Sequence, residues 1–336
     1  MVLAADRRGW EVLGIRDSYD GLFEQDGVVK LDRRSVRGIT HLGGTILGTT
    51  NRGNPLRWPV KAGDGPVTYE DHSDAVIEAL ASHGIDALIA IGGDGSLAIA
   101  HSLAEKGLKI VGVPKTIDND LAATQLTFGF TTAVETATDA IDKLHSTAEA
   151  HERVMVVELM GRHAGWIALY AGLAGSADVI LIPEIPYDME SVCAKIQARY
   201  RRGRNFAIVV VAEGAFPAGG EPLFKQKSAG QKRLGGMAEV VAEGITAGTG
   251  RETRSIVLGH LQRGGSPNAY DRLLALRFGT AAVRLVGEGQ FGCMVALDPP
   301  DVLAVPLAEA IAKTKLVPLD GDVVQTARAM GTCLGD

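Results

Sequence analysis

The most constraining feature of the sequence is a rhythm. Short apolar runs rich in Val and Ile each end in a polar turn, usually glycine-bearing, and most lead into a stretch with helical character. The runs are Ala87–Ile91, Lys109–Val113, Arg153–Glu158, Val179–Ile182, Phe206–Ala212 and Ser255–Leu258. Helices are expected over Ser73–His83, from the Asp94 turn to Lys106, and over Thr131–His145, Met189–Arg201, Gly236–Ala247 and Asp271–Val286. Strands alternating with helices over short connections imply parallel sheets covered on both faces, so the expected class is α/β. In such open sheets the ligand crevice lies at the carboxyl ends of the strands. The turns are therefore where chemistry is sought.

Composition narrows the class. The 336 residues suffice for two domains or one large one. A net charge of −6 gives no reason to expect nucleic acid or an anionic membrane as partner. Cys193, Cys293 and Cys333 are odd in number and lack CxxC spacing, which argues against a disulfide framework or a structural zinc. No apolar run approaches the ~18 residues that span a bilayer. The N-terminus lacks a basic region followed by an apolar stretch. A cytoplasmic enzyme is expected.

The central turn is Pro114-Lys-Thr-Ile-Asp-Asn-Asp120. Pro114, with no amide hydrogen, is expected to end the preceding strand. Asp118 and Asp120 suit a division of labour in which one accepts a proton and the other serves a metal ion. The same pattern fits an Asx turn whose aspartates only cap a helix. Upstream, Gly92-Gly-Asp-Gly-Ser96 opens a helix, an arrangement whose backbone amides cradle phosphate. Gly93–Ala98 also matches the dinucleotide fingerprint GxGxxA, but that motif needs an acid at the end of the next strand. That strand ends in Val113-Pro114-Lys115, so the dinucleotide reading fails.

Later strands end in Met160-Gly-Arg-His-Ala-Gly-Trp166, in Glu213-Gly214 and in Gly259-His-Leu-Gln-Arg-Gly-Gly265, with Arg153 and Arg254 at strand starts. Arginine's planar fork suits phosphate, although a lone Arg on a turn is usually a solvated charge. Neither the HExxH spacing of zinc enzymes nor a GxSxG nucleophile elbow is present. Met1–Leu13 reads as part of a helix leading into a short strand, Glu11–Ile15. Residues 43–55, with Arg52 near their middle, read as a loop, and Ser228–Gly235 as a mobile one.

The set IGGDGS (91–96), PKTIDND (114–120), MGRHAGW (160–166), VAEG (211–214) and GHLQRGG (259–265) resembles the 6-phosphofructokinase family, in order across most of the chain. The GGDG turn is shared with other kinases; PKTIDND and the His-x-x-Arg-Gly-Gly turn are selective. The resemblance implies two three-layer α/β/α lobes with mostly parallel sheets. A donor (ATP)-binding lobe would comprise 1–129 plus about 262–312, and a sugar-phosphate lobe about 130–261 plus 313–336. It implies transfer of the γ-phosphoryl of ATP to the 1-hydroxyl of fructose 6-phosphate, a glycolytic step.

By that resemblance Asp118 is the base, with Arg162 and Lys115 beside it in the catalytic set. Arg52, Gly93, Asp94, Gly95 and Ser96 would contact the donor, and Asp94 would hold Mg²⁺. Thr116, Asp118, Asp120, Met160, Gly161, Arg162, Glu213, His260 and Arg263 would contact the sugar phosphate. Arg153 and Arg254 would come from a neighbouring subunit, implying a homodimer or homotetramer with shared active sites. Gly95 stands where pyrophosphate users carry Asp, which favours ATP; Lys115 is the pyrophosphate-like half of that signature. The family's first strand and its GGDxPGLN turn are not found, so a truncated, inactive binding subunit is the alternative of a different class. Leu42 and His145 occupy positions where arginines of an effector pocket are expected, so regulation by nucleoside diphosphate or phosphoenolpyruvate is not expected.

Overall fold

A computed structural model describes residues 1–50, 53–61, 67–226 and 232–336. Arg52 and Ser228–Gln231 lie outside the described residues. The first third of the chain carries α1 (Val2–Asp6), β1 (Val12–Ile15), β2 (Val28–Leu31), β3 (Trp58–Lys61), β4 (Val67–Glu70), α2 (Ser73–Ser82), β5 (Leu88–Gly92), α3 (Asp94–Glu105) and β6 (Ile110–Thr116). The middle carries β7 (Phe128–Gly129), α4 (Phe130–Ala150), β8 (Val154–Leu159), α5 (Trp166–Ala174), β9 (Val179–Leu181), α6 (Met189–Arg201), β10 (Ala207–Ala212), β11 (Phe224–Gln226), β12 (Lys232–Leu234) and α7 (Met237–Thr249). The remainder is β13 (Thr253–Val257), a 3₁₀ turn at Gly259–Arg263, α8 (Ala269–Gly287), β14 (Cys293–Asp298), β15 (Asp301–Pro306), α9 (Leu307–Ile311) and α10 (Asp322–Ala329). Among the described residues no helix is long and apolar enough to cross a membrane.

The chain forms two compact units. One holds Met1–Thr116, Leu121–Phe128 and Ser266–Lys313; the other holds Ile117–Asp120, Gly129–Gly265 and Thr314–Asp336.

In the first unit the sheet order is β15-β14-β6-β5, with β7 also paired to β6. β5, β6 and β14 are parallel, and β15 returns antiparallel to β14. Side chains of β6 alternate between the two faces, as a two-residue period requires. Val111 and Val113 pack with Leu274, Phe278 and Ala282 of α8. Ile110 joins Leu97, Ala100 and Leu307 on the other face. A Cβ at Gly112 would come within 2.8 Å of Leu97 Cδ2 and 2.9 Å of Leu307 Cδ2, so any side chain there would displace both leucines. The helix packs that closely against the strand whose end carries the central turn.

The second unit has a parallel sheet in the order β13-β8-β10-β9. Val154, Val156, Val209 and Val211 are fully buried against Val192 and Ile196 of α6 and Val241 and Ile245 of α7. Each such side chain contributes about 1.5–3 kcal/mol by leaving water. α4 and α5 pack against β10. The outer edge of β9 is covered by the C-terminal segment: Ile180 N donates to Cys333 O at 2.9 Å, and Cys333 N donates to Asp178 O at 3.0 Å. An edge covered this way offers no ladder to another chain.

Several expectations need correction. Pro114 does not end its strand, since β6 runs on through Lys115 to Thr116. Its missing amide is harmless there, because β14 pairs with β6 only at Val111 and Gly112, and the β5 register ends at Gly92–Pro114. The N-terminal helix and short strand are present as α1 and β1, and β1 pairs antiparallel with β2. The glycine-rich stretch expected as a mobile loop ends in β12, paired antiparallel with β11. β14 with β15, and β3 with β4, form two further antiparallel pairs that no short sequence window signals.

Candidate active site

Two adjacent parallel strands, β5 and β6, deliver the first group of residues. Gly93 precedes α3 with φ −88° and ψ −163°, and Leu97 N donates back to Gly93 O at 2.9 Å. The amides of Asp94, Gly95 and Ser96 therefore lie in the first turn, where helix geometry provides no partner. All three residues are exposed. The helix dipole adds partial positive charge at this end, so the turn suits an anion.

The three glycines differ in their surroundings. A Cβ at Gly92 would collide with Ser96. One at Gly93 would lie 3.4 Å from Thr116 Cβ and 3.8 Å from Lys115 O, so this loop rests on the end of β6. One at Gly95 meets nothing within 4 Å. Gly93, Asp94, Gly95, Ser96, Lys115 and Thr116 are thus brought together at the carboxyl ends of two adjacent strands, with Lys115 exposed. Thr116 O accepts from Thr127 Oγ1 at 2.8 Å, which holds the strand end.

The second unit assembles the remainder. Asn119, 2% exposed, takes the left-handed conformation (φ 52°) between Asp118 and Asp120, both half-buried. Asn tolerates that conformation because its short amide bonds locally. β8 ends at Leu159, and the following turn, Met160–Gly165, exposes Arg162. Gly214 N donates to Gly161 O at 3.1 Å, and a Cβ on Gly214 would strike Arg162 O. The VAEG and MGR turns are stacked backbone on backbone, which only Gly permits here.

His260 and Arg263 are exposed on the 3₁₀ turn after β13. Buried Gln262 anchors that turn: its Oε1 accepts from Met160 N at 3.2 Å, and its Nε2 donates to Gly259 O at 3.2 Å. Arg263 Nε approaches Met160 Sδ at 3.4 Å.

Glu213, half-buried after β10, is the electrostatic centre of this group. Burial pushes its carboxyl above the ordinary carboxylate range, and the charges of Glu158 and Asp118 push the same way. The Gly161 amide and Arg263 oppose the shift. Such a carboxyl holds its proton more tightly folded than unfolded. Ionising it therefore costs stability, increasingly so as pH rises from the ordinary range to the raised value. Glu213→Gln should accordingly raise the melting temperature at pH 7 relative to wild type, by an amount that shrinks towards pH 4. Thermal melts from pH 4 to 8 would show this; a gap independent of pH would contradict it.

Two arginines lie apart from the rest. Arg153 and Arg254 stand at the starts of β8 and β13, where both meet Glu252, at 3.0 and 2.6 Å. Met160–Arg162 and His260–Arg263 follow the other ends of these strands, ~17–20 Å away at the strand rise. Within one chain they are not brought together.

Sequence reasoning missed the supporting residues. Glu158, 3% exposed, accepts from Gly236 N (3.0 Å) and Ala238 N (3.0 Å), capping α7 from a neighbouring strand. Glu184 accepts from Gly165 N (3.0 Å) and Val317 N (2.9 Å). Lys315 Nζ donates to Asn119 Oδ1 at 2.9 Å. Their one sequence signal was a charge in an apolar setting, most visible for Glu158 at the end of an all-apolar run. His145, read against an effector pocket, instead places Nε2 2.8 Å from Gly175 O.

Comparison with known proteins agrees with this arrangement. Residues 1–286 match the family described as Phosphofructokinase. An ATP-dependent 6-phosphofructokinase 1 of Synechocystis sp. is 48% identical over 330 residues, covering 98% of this chain and 90% of its own. A pyrophosphate–fructose 6-phosphate 1-phosphotransferase of Streptomyces coelicolor is 52% identical over 314 residues, 92% of this chain and 87% of its own. The crystal structure of a Pichia pastoris phosphofructokinase superposes with a TM-score of 0.80 at 31% identity, over 93% of this chain and 33% of that one. The match over residues 1–286, together with a relative 48% identical over 98% of this chain, places this chain in the phosphofructokinase family.

Proposed function

We propose that this protein is an ATP-dependent 6-phosphofructokinase, transferring the γ-phosphoryl group of ATP to the 1-hydroxyl of fructose 6-phosphate. One observation carries the reading: the ATP-dependent enzyme of Synechocystis is 48% identical over 98% of this chain. The space at Gly95 supports the same donor, since nothing of the protein fills it.

The unit carrying Asp94 would bind the donor, its phosphates resting on the amides of Asp94, Gly95 and Ser96. The unit carrying Glu213 would bind the sugar phosphate. Asp118 takes the proton of the 1-hydroxyl, and Arg162 faces the charge that develops on the transferring group. Met160, Gly161 and Glu213 orient the sugar, and His260 and Arg263 hold its 6-phosphate. Positioning and charge neutralisation supply most of the rate in such a transfer.

Among the described residues no cluster of three His, Cys, Asp or Glu could hold a metal by protein ligands alone. One exposed carboxylate, Asp94, beside a phosphate cradle fits Mg²⁺, which keeps its waters and binds through one or two carboxylates and substrate phosphates. When bound, it would neutralise charge on the donor phosphates. Arg153 and Arg254 would serve the 6-phosphate of a neighbouring subunit, making the active form at least a dimer.

A second reading, pyrophosphate as donor, has the Streptomyces relative and exposed Lys115 in its favour. Phosphoryl transfer to fructose 6-phosphate with Mg²⁺, run in parallel with ATP and pyrophosphate, tests both. Turnover with ATP at least tenfold above pyrophosphate is expected. The reverse ranking would transfer the assignment to pyrophosphate, and silence with both would refute the enzyme.

A further inference from the structure

We propose that Lys315 is a positioning residue for catalysis: it ties the Ile117–Asp120 turn to the turn that carries Arg162. This inference rests on the functional reading above.

Lys315 is bonded through three separate groups. Its backbone amide donates to Asp120 O at 2.7 Å. Its carbonyl accepts from Trp166 Nε1 at 2.8 Å. Its ammonium donates to Asn119 Oδ1 at 2.9 Å and lies 5.5 Å from the centroid of the Trp166 ring. Two residues on, Val317 N donates to Glu184, whose carboxylate also accepts from Gly165 N. The segment 315–317 is thus a bracket. One side grips Asn119 and Asp120, and the other grips Gly165 and Trp166, the last residues of MGRHAGW.

The chemistry suggests more than a strut. Burial pushes the Lys315 amine down to about 8, against the pull of Asp120. A half-buried ammonium costs stability that an apolar side chain would not, and local rules are broken mainly at functional sites. Asn119 is the residue between the two aspartates. Turning it turns both, and a displacement of about 1 Å at a reacting group costs about 10²-fold in rate.

The test is kinetics on Lys315→Ala in the full chain, with and without ethylamine, alongside thermal melts. We expect kcat to fall by about 10²-fold while KM for both substrates stays within about threefold. Ethylamine should restore kcat saturably and leave wild type unchanged, a rescue that a strut would not show. Asn119→Gly, which keeps the left-handed conformation and removes the same acceptor, should reproduce the loss even if Lys315→Ala folds poorly. A kcat within threefold of wild type in either folded variant would overturn the proposal, as would a loss in Lys315→Ala that no amine restores. Inactivity of wild type with both donors would refute the functional reading alone. In that case hydrogen exchange of peptides covering 117–120 decides: faster exchange in Lys315→Ala supports the bracket, and unchanged exchange overturns it.

Discussion

Replacing Asp118 by Asn should lower kcat for phosphoryl transfer to fructose 6-phosphate by about 10³-fold while leaving the fold intact. General-base catalysis by a placed carboxylate contributes about 10²–10⁴-fold, or about 3–5 kcal/mol of barrier. Asp118 is half-buried, and its charge is felt by Glu213. Asn has the same shape and removes a negative charge from a group that already contains Glu158 and Glu213. Stability should therefore not fall, and KM for the sugar phosphate should move little. Steady-state kinetics with a melting curve decide the matter. If Asp118→Asn kept more than a tenth of wild-type kcat, another group would have to accept the proton.

The second large effect concerns the donor. Gly95→Asp should reduce kcat/KM for ATP by about 10²-fold or more and change pyrophosphate turnover far less. A Cβ at this position meets no atom within 4 Å, so the protein itself accommodates the substitution. An acidic residue in the first turn of α3 also complements the helix dipole, so the melting temperature should hold or rise slightly. The penalty falls on the ligand. Two like charges ~5 Å apart at an effective dielectric of about 20 repel by about 3 kcal/mol, which is about 10²-fold. Unchanged ATP turnover would mean that the nucleotide passes elsewhere, and Gly95 would lose its place in the donor argument. The 52% identical Streptomyces relative named for pyrophosphate makes this substitution the sharper of the two tests.

The combination of these effects with the raised Glu213 carboxyl has a consequence for stability. Glu213, Glu184 and Asp178 are all pushed up, chiefly by burial. Each resists ionisation in the folded state and makes the protein less stable as pH rises through the weakly acid range. Glu213 is retained at that cost within the proposed sugar site, whereas Glu184 bonds two backbone amides and Asp178 meets Arg199 at 2.7 Å.

Local chemistry in the sequence was enough to establish the α/β class, the strands that end in polar turns, and the pairing of a glycine turn with a helix start. Val and Ile runs of five or six residues bounded by turn residues suit strands covered on both faces. Gly92 is needed for the close approach of Ser96, and the acid missing after the next strand set aside the dinucleotide reading of the same turn. Tertiary structure alone decided the rest. Proline's missing amide suggested a strand end at 114, but whether an amide is needed depends on which neighbour pairs there. The hairpins β1–β2 and β14–β15 depend on cross-strand partners that no short window contains. Lys315 meets Asn119 from 196 residues away, Val317 meets Glu184 from 133, and Gln262 meets Met160 from 102. Residues joined at such separations leave no periodicity and no spacing in the chain, because the fold, not the local backbone, brings them into contact.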